Sequence, residues 1–261
     1  MKEIEKPASK DGNIDENQKD KFTEIPAHKA LLIRNWILEN YHNAFTIKKV
    51  NAMFAVSLTE DELFKIYKGD FVVNYPKFSY YPAPVTTTIP TKEADLVKLY
   101  QAITGNYYKK VTEQYRAMEA GKQKATFKIT RFDHVTFSGI FSSRKADGLI
   151  KLSGYAVFDF DHVQDPEVLK SLLIADPFLE VQMIFMSPSG DGLKMILFNE
   201  DGEAYQDFYG AVVIYLKIKY PLFAASLDAK TKDIARTCFI CHDANCYINP
   251  QYLELWQASK N

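Results

Sequence analysis

From Gly154 to His162 the chain reads Gly-Tyr-Ala-Val-Phe-Asp-Phe-Asp-His, an apolar and aromatic run that closes on two carboxylates, Asp159 and Asp161. A short run of this kind is a buried strand. In an extended strand, side chains two apart share a face at about 6.5 Å. Two like charges at that separation repel by about 2.5 kcal/mol at an effective dielectric of about 20. A buried strand that ends on both therefore calls for a compensating cation. Oxygen-only ligands favour Mg²⁺ or Mn²⁺, which points to a metal site for phosphate chemistry. The competing reading is a strand that simply ends in a solvated Asx turn.

The residues that follow give the strand a context. Asp165-Pro166 opens a helix running to about Ala175, with proline at the first turn. Val181–Met186 reads as a strand, Ser187-Pro-Ser-Gly-Asp-Gly192 as a turn, and Leu193–Phe198 as the returning strand. A long apolar-rich helix over Glu203–Lys219 is closed by Tyr220-Pro221, and a last extended stretch lies within Ala235–Cys241. The order β-α-β-β-α-β is that of a ferredoxin-like unit. This topology carries the end of the first strand, the Ser189–Lys194 turn and the Ser226-Leu-Asp228 approach to one sheet edge.

The first half is read more coarsely. Residues 1–25 are charged and poor in large apolar groups and are expected to be a mobile tail. Residues 26–70 are expected to form a helical lead-in, with a capping box at Thr59-Glu-Asp-Glu62. Phe71–Val85 is expected to be extended, with helices at Thr91–Tyr100 and Lys109–Ala120, the latter ended by Gly121. The fold class expected is α+β. Residues 71–150 form an N-terminal α+β module packed on a ferredoxin-like metal-site unit at 151–252, the two making one domain over 71–252.

With 261 residues, 47% of them hydrophobic, the chain has enough apolar material for one large domain or two small ones. A net charge of −1 excludes a uniformly basic nucleic-acid binder but not a local basic groove. Residues 107–151 hold ten Lys and Arg against four acidic residues, a net of +6. They read either as a solvated face or as part of a groove, with Arg131, Arg144 and Lys145 the candidate nucleic-acid contacts. No 18-residue apolar run or apolar signal core is present, so a cytoplasmic protein with no membrane partner is expected.

Asp228 would be a third carboxylate beside Asp159 and Asp161. Three carboxylates can hold one or two divalent ions that clamp nucleotide phosphates. The Ser189-Gly190-Asp191-Gly192 turn offers backbone N–H groups, and Lys194 and Arg236 offer positive charge for phosphate. His162 either orients a carboxylate or caps the next helix, and His134 has no visible partner. Cys238, Cys241, His242 and Cys246 read as core thiols, with zinc ligation or a haem-attachment spacing as alternatives.

These motifs resemble those of the archaeo-eukaryotic primase superfamily. The matching residues are Val157-Phe-Asp-Phe-Asp161, Ser189-Gly-Asp-Gly-Leu-Lys194, and Leu227-Asp228 with Arg236. A closer resemblance is to the primase-like VirE N-terminal domain of Bacteroidetes mobile elements, over roughly residues 78–252. It rests on Val135-Thr-Phe-Ser-Gly-Ile-Phe-Ser142, Ser153-Gly154, Phe158–His162, Ser187–Lys194, Asp233-Ile-Ala-Arg236, Phe239, His242-Asp243 and Tyr247-x-Asn249-Pro250. The resemblance implies that Asp159, Asp161 and Asp228 bind catalytic Mg²⁺ or Mn²⁺, and that Ser189, Gly190, Gly192, Lys194 and Arg236 contact nucleotide phosphate. The implied activity is that of a nucleotidyltransferase of the DNA primase or polymerase type, acting in replication of a mobile element. The implied partners are nucleoside triphosphates and single-stranded DNA or primer-template. A helicase-like ATPase would be a separate chain or a lost one, because no phosphate-binding Gly-x4-Gly-Lys loop occurs here. Lys194 stands where the superfamily carries His, and a lysine cannot act as a neutral imidazole. The alternative is therefore a catalytically inactive adaptor binding single-stranded DNA or a helicase partner.

Overall fold

The computed structural model describes residues 25, 27–40, 46–68, 75–199, 204–228 and 232–258. It divides into two compact units, Met1–Asn74 and Tyr75–Asn261.

The first unit holds α1 (Ala27–Asn40), α2 (Ile47–Phe54) and α3 (Glu60–Lys68). The capping box forms as its sequence requires: Thr59 N–H donates to Glu62 Oε2 at 2.7 Å and Glu62 N–H donates to Thr59 Oγ1 at 3.3 Å. Ile33, Ile37, Val50, Leu58 and Ile66 make a small buried core. The tail expected over residues 1–25 lies outside the described residues except for Ile25.

The second unit carries two four-stranded antiparallel sheets. One is built from β1 (Phe78–Tyr81), β2 (Lys92–Ala94), β3 (His134–Thr136) and β9 (Cys238–Phe239), in the order β2-β1-β3-β9. The other is built from β6 (Tyr155–Phe160), β7 (Met183–Met186), β8 (Leu193–Phe198) and β10 (Tyr247–Ile248), in the order β10-β7-β8-β6. A hairpin of β4 (Gly139–Phe141) and β5 (Leu149–Leu152) forms a two-stranded sheet of its own, with Phe141 N–H donating to Ser79 Oγ of β1 at 2.8 Å. The helices are α4 (Leu96–Thr104), α5 (Lys109–Ala117), α6 (Lys122–Arg131), α7 (Pro166–Ala175), α8 (Tyr205–Lys219) and α9 (Pro250–Ala258). The α+β class is thus observed, with antiparallel sheets throughout the described residues.

Period-two alternation explains why β6 and β8 have no polar face. Tyr155 and Val157 join Ile196, Met183 and Phe185 in a core shared with Phe78, Val135, Leu99 and the three cysteines. Ala156, Phe158 and Phe160 join Leu193, Met195 and Leu197 in a second core against Leu169, Leu173, Tyr209 and Leu216 of α7 and α8. Phe158 stacks on Tyr209 at 4.7 Å between centroids. Helix α7 starts where its sequence says it should, with Asp165 Oδ1 accepting from Val168 N–H at 3.1 Å and Pro166 in the first turn. Among the described residues no helix is long and apolar enough to cross a membrane.

Several elements differ from expectation, among them β10, which takes the free edge of β7. The strand expected within Ala235–Cys241 is reduced to β9, and it pairs with β3 in the other sheet. The edge of β6 is taken instead by Leu227, bridged to Phe160. Asp161 N–H donates to Ser226 O at 2.7 Å and Asp228 N–H donates to Asp159 O at 2.8 Å, so that edge is closed before the chain reaches Cys238. The helix expected at Thr91–Tyr100 begins only at Leu96. Asp95 caps it by accepting from Lys98 N–H at 2.9 Å, and Lys92–Ala94 pairs with β1. Helix α6 was not anticipated, because it buries no residue fully and shows no apolar stripe.

On the face of the first sheet that carries Ser79 and Tyr81, His134 is fully buried and stacked on Tyr81, with ring centroids 5.0 Å apart. Neither ring nitrogen has a hydrogen-bond partner within normal bonding geometry among the described residues. Burial, aided by Arg144, lowers its pKa to about 4, against the weaker opposing pull of the Thr87 backbone and Asp133. The folded state therefore binds fewer protons than the unfolded chain between about pH 6.5 and 4. Stability is expected to fall as pH drops through that window, by at most about 3 kcal/mol, and to level off below it. His134→Phe, which keeps the ring packing, is expected to flatten this part of the curve of urea midpoint against pH.

Candidate functional site

The site forms where β6 ends. Antiparallel register sets Asp159 directly opposite Lys194 of β8, so both side chains lie on the same face as Val157 and Ile196. Lys194 Nζ donates to Asp159 Oδ1 at 2.7 Å and to Oδ2 at 2.6 Å. The two side chains are 7% and 14% exposed. On the other side of β6, the two backbone hydrogen bonds flanking the Phe160–Leu227 bridge set Asp228 across from Asp159. Asp228 Oδ2 accepts from Arg236 Nη2 at 3.1 Å. Asp161, two residues beyond Asp159 on the same face, is exposed and has no ion pair among the described residues.

The electrostatics follow from this layout. Burial alone would lower the Lys194 pKa, but Asp159, by charge and hydrogen bond, together with Cys238 and Asp161 outweighs it and holds the amine firmly protonated. Asp161 is pushed above the ordinary carboxylate range, first by lost hydration and then by Asp159, with Asp228 adding to the push. Lys194 and Lys128 only partly offset this. Lys128, from α6, is itself lowered by burial and by Lys194 and sits in the field of both Asp159 and Asp161. Its Nζ lies 5.5 Å from the centre of the Phe239 ring. Cys238 beneath it is buried, which pushes the thiol up to about 12.

The turn between β7 and β8 is held against the end of β6. Gly190 has φ +86° and donates its N–H to Ser187 O at 3.0 Å. A Cβ on Gly192 would stand 2.3 Å from Phe160 O, so only glycine lets the turn approach the strand end this closely. Arg116 of α5 braces the turn from outside, donating from Nε to Pro188 O and from Nη2 to Ser187 O, each at 3.2 Å. Ser189 Oγ donates to Asp191 Oδ1, and His162 Nδ1 lies 2.7 Å from Asp191 Oδ2. Lost hydration alone would raise the Asp191 pKa, but these two contacts outweigh it and lower it.

Asp159, Asp161, Asp228, Lys194, Arg236 and the turn carrying Ser189, Gly190 and Gly192 thus converge at one sheet edge. His162 neither orients the acidic pair nor caps α7. It has φ +53° and pairs with the turn. Arg144 lies elsewhere, donating to Val85 O and Thr237 Oγ1, and Lys145 pairs with Asp147 at 3.0 Å. Arg131 is exposed at the last position of α6. Cys238, Cys241 and Cys246 are buried thiols of the core, with Cys241 Sγ on Met186 O at 3.0 Å. Two contributors were missed in the sequence. Lys128 was one of ten basic residues in a patternless stretch, and Arg116 reaches a turn more than 70 residues away.

Residues 128–248 match the family model described as the BT4734-like N-terminal domain. The matched span opens in α6 at Lys128 and closes in β10, and it contains every carboxylate and cation of the site except Arg116. No curated protein and no solved structure matches the chain.

Chemically, the edge combines hard oxygen donors with four ammonium or guanidinium groups, those of Arg116, Lys128, Lys194 and Arg236, around a glycine turn. Among the described residues, no three His, Cys, Asp or Glu side chains are gathered closely enough to cage a metal. A magnesium-like ion does not require such a cage, since it is commonly held by one or two carboxylates together with substrate phosphates. Asp161 and Asp228 have the donor type for that mode.

Proposed function

We propose that this chain is a primase-polymerase-like domain that binds nucleoside triphosphates with Mg²⁺ or Mn²⁺ in the replication of a mobile element. The observation that carries this reading is Asp161. It is exposed, unpaired among the described residues, and lifted in pKa by lost hydration and by neighbouring carboxylates. Such a spot favours a cation, and it lies beside a glycine turn and basic side chains suited to phosphate. Asp161 and Asp228 would hold the ion, and Asp159 would anchor Lys194. When bound, the ion supplies charge neutralisation of the phosphates. The run β6-α7-β7-β8-α8, with Leu227 at the β6 edge, supports a ferredoxin-like unit whose fourth strand is cut to a single bridge. Single-stranded DNA or primer-template and a separate helicase-like ATPase are the partners this reading proposes.

The second reading, a non-catalytic adaptor for single-stranded DNA or a helicase, is favoured by one observation. Lys194 fills both oxygens of Asp159. The location of binding separates the two. In ¹H–¹⁵N spectra, Mn²⁺ with dATP is expected to broaden amides of residues 159–162, 187–194 and 226–228. Broadening without preference for these segments would overturn the nucleotide-site reading, and chemical-shift changes there on adding single-stranded DNA alone would favour the adaptor.

A further inference from the structure

The cations of the site are not equivalent, and their partners divide them. Lys194 Nζ bridges both oxygens of Asp159 at 2.7 and 2.6 Å, and both side chains are largely buried. No Asp159 oxygen is thereby left without a positive partner. Arg236 is engaged by Asp228 at 3.1 Å. Of Lys194, Arg236 and Lys128, only Lys128 has no ion pair among the described residues; it is half-buried on α6 with its Nζ 5.5 Å from the centre of the Phe239 ring in β9, and it lies in the field of Asp159 and Asp161.

We propose that Lys194 is a built-in cation that occupies Asp159 in place of a divalent ion, and that Lys128 rather than Lys194 meets the nucleotide phosphate. The first half rests on geometry alone. The second rests on the nucleotide reading given above. An ammonium that donates to both carboxylate oxygens in a nearly dry setting neutralises their charge and takes one lone pair of each, so a divalent ion gains little from Asp159 unless the lysine gives way, at the cost of leaving a buried lysine unpaired. The site then favours a single divalent ion, through Asp161 and Asp228. It lacks the paired-ion arrangement that stabilises both attacking and leaving oxygens of an in-line displacement. A phosphate entering over Asp161 meets Lys128 on α6, so α6 is part of the binding wall.

The test of the first half needs no nucleotide. Free Mn²⁺ is counted by electron paramagnetic resonance with the full chain, with Lys194→Met, with Lys194→Gln, which keeps a donor to Asp159, and with Asp159→Asn/Lys194→Met. At least tenfold tighter Mn²⁺ binding is expected in whichever single variant folds by circular dichroism, and loss of that gain in the double variant. A folded single variant that binds Mn²⁺ no better than wild type would overturn the assignment, as would a gain that survives in the double variant. For the second half, Lys128→Met is expected to weaken Mn²⁺·dATP binding about tenfold while Lys128→Arg preserves it. Wild-type affinity in Lys128→Met would overturn that half. If wild type binds no Mn²⁺·dATP, the nucleotide reading and this half fail together, and the Mn²⁺ counts still decide the role of Lys194.

Discussion

Lys194→Met is expected to lower the unfolding free energy by about 3–5 kcal/mol, the range found when one partner of a buried ion pair is removed. The effect comes mainly from what is left behind. Asp159 is 14% exposed and accepts two hydrogen bonds from the lysine. Without them its charge stays in a site flanked by Asp161 and Asp228. Asp159→Asn/Lys194→Met removes both charges and is expected to recover most of the loss, because a neutral pair carries no unpaired buried ion. Urea denaturation followed by circular dichroism reads both variants. A cost below about 1 kcal/mol for Lys194→Met would mean that water screens the pair as it screens surface pairs. The cost is specific to this register: the neighbours of Lys194 along β8, Leu193 and Met195, point into the other core.

What the amino-acid order made legible was strongest where a local rule spoke plainly. The apolar run into Asp159 and Asp161, the proline-started α7, the β8 strand and the Thr59 capping box all have short-range signals, and each formed where it was expected. The gathering of Asp159, Asp161, Asp228 and the Ser189–Lys194 turn at one edge followed from strand direction. The remainder depends on partners distant in sequence. A one-residue bridge at Leu227 leaves no periodicity to detect, and only the backbone bonds to Asp159 and Asp161 reveal it. Cys238–Phe239 looks like any short strand, and its choice of β3 over β6 follows from an edge already filled. Helix α6 is polar on nearly every side, so Lys128 could not be told from its basic neighbours. The pairing of Lys194 with Asp159 is a matter of register, which the turn and both faces of β6 set together.

Asp161→Asn is expected to weaken Mn²⁺-dependent nucleotide binding at least thirtyfold while leaving the fold intact or slightly more stable. The sign of the stability effect comes from the raised pKa of Asp161. A carboxyl whose folded pKa lies above its unfolded value is strained in its charged form, so at neutral pH the native state gains when that charge is removed. Loss of binding with gain in stability is the signature of a residue kept for its ligand rather than for the fold. Asparagine preserves the shape and the backbone bond from position 161 to Ser226, so a loss of binding would report on charge alone. The most direct measurement is isothermal titration of wild type and Asp161→Asn with dATP in the presence of Mn²⁺ and of excess chelator. The expected result is binding by wild type that chelator removes and that Asp161→Asn lacks at equal or higher melting temperature. Equal binding by the two proteins, or no binding by wild type, would contradict a cation-assisted nucleotide site at the end of β6.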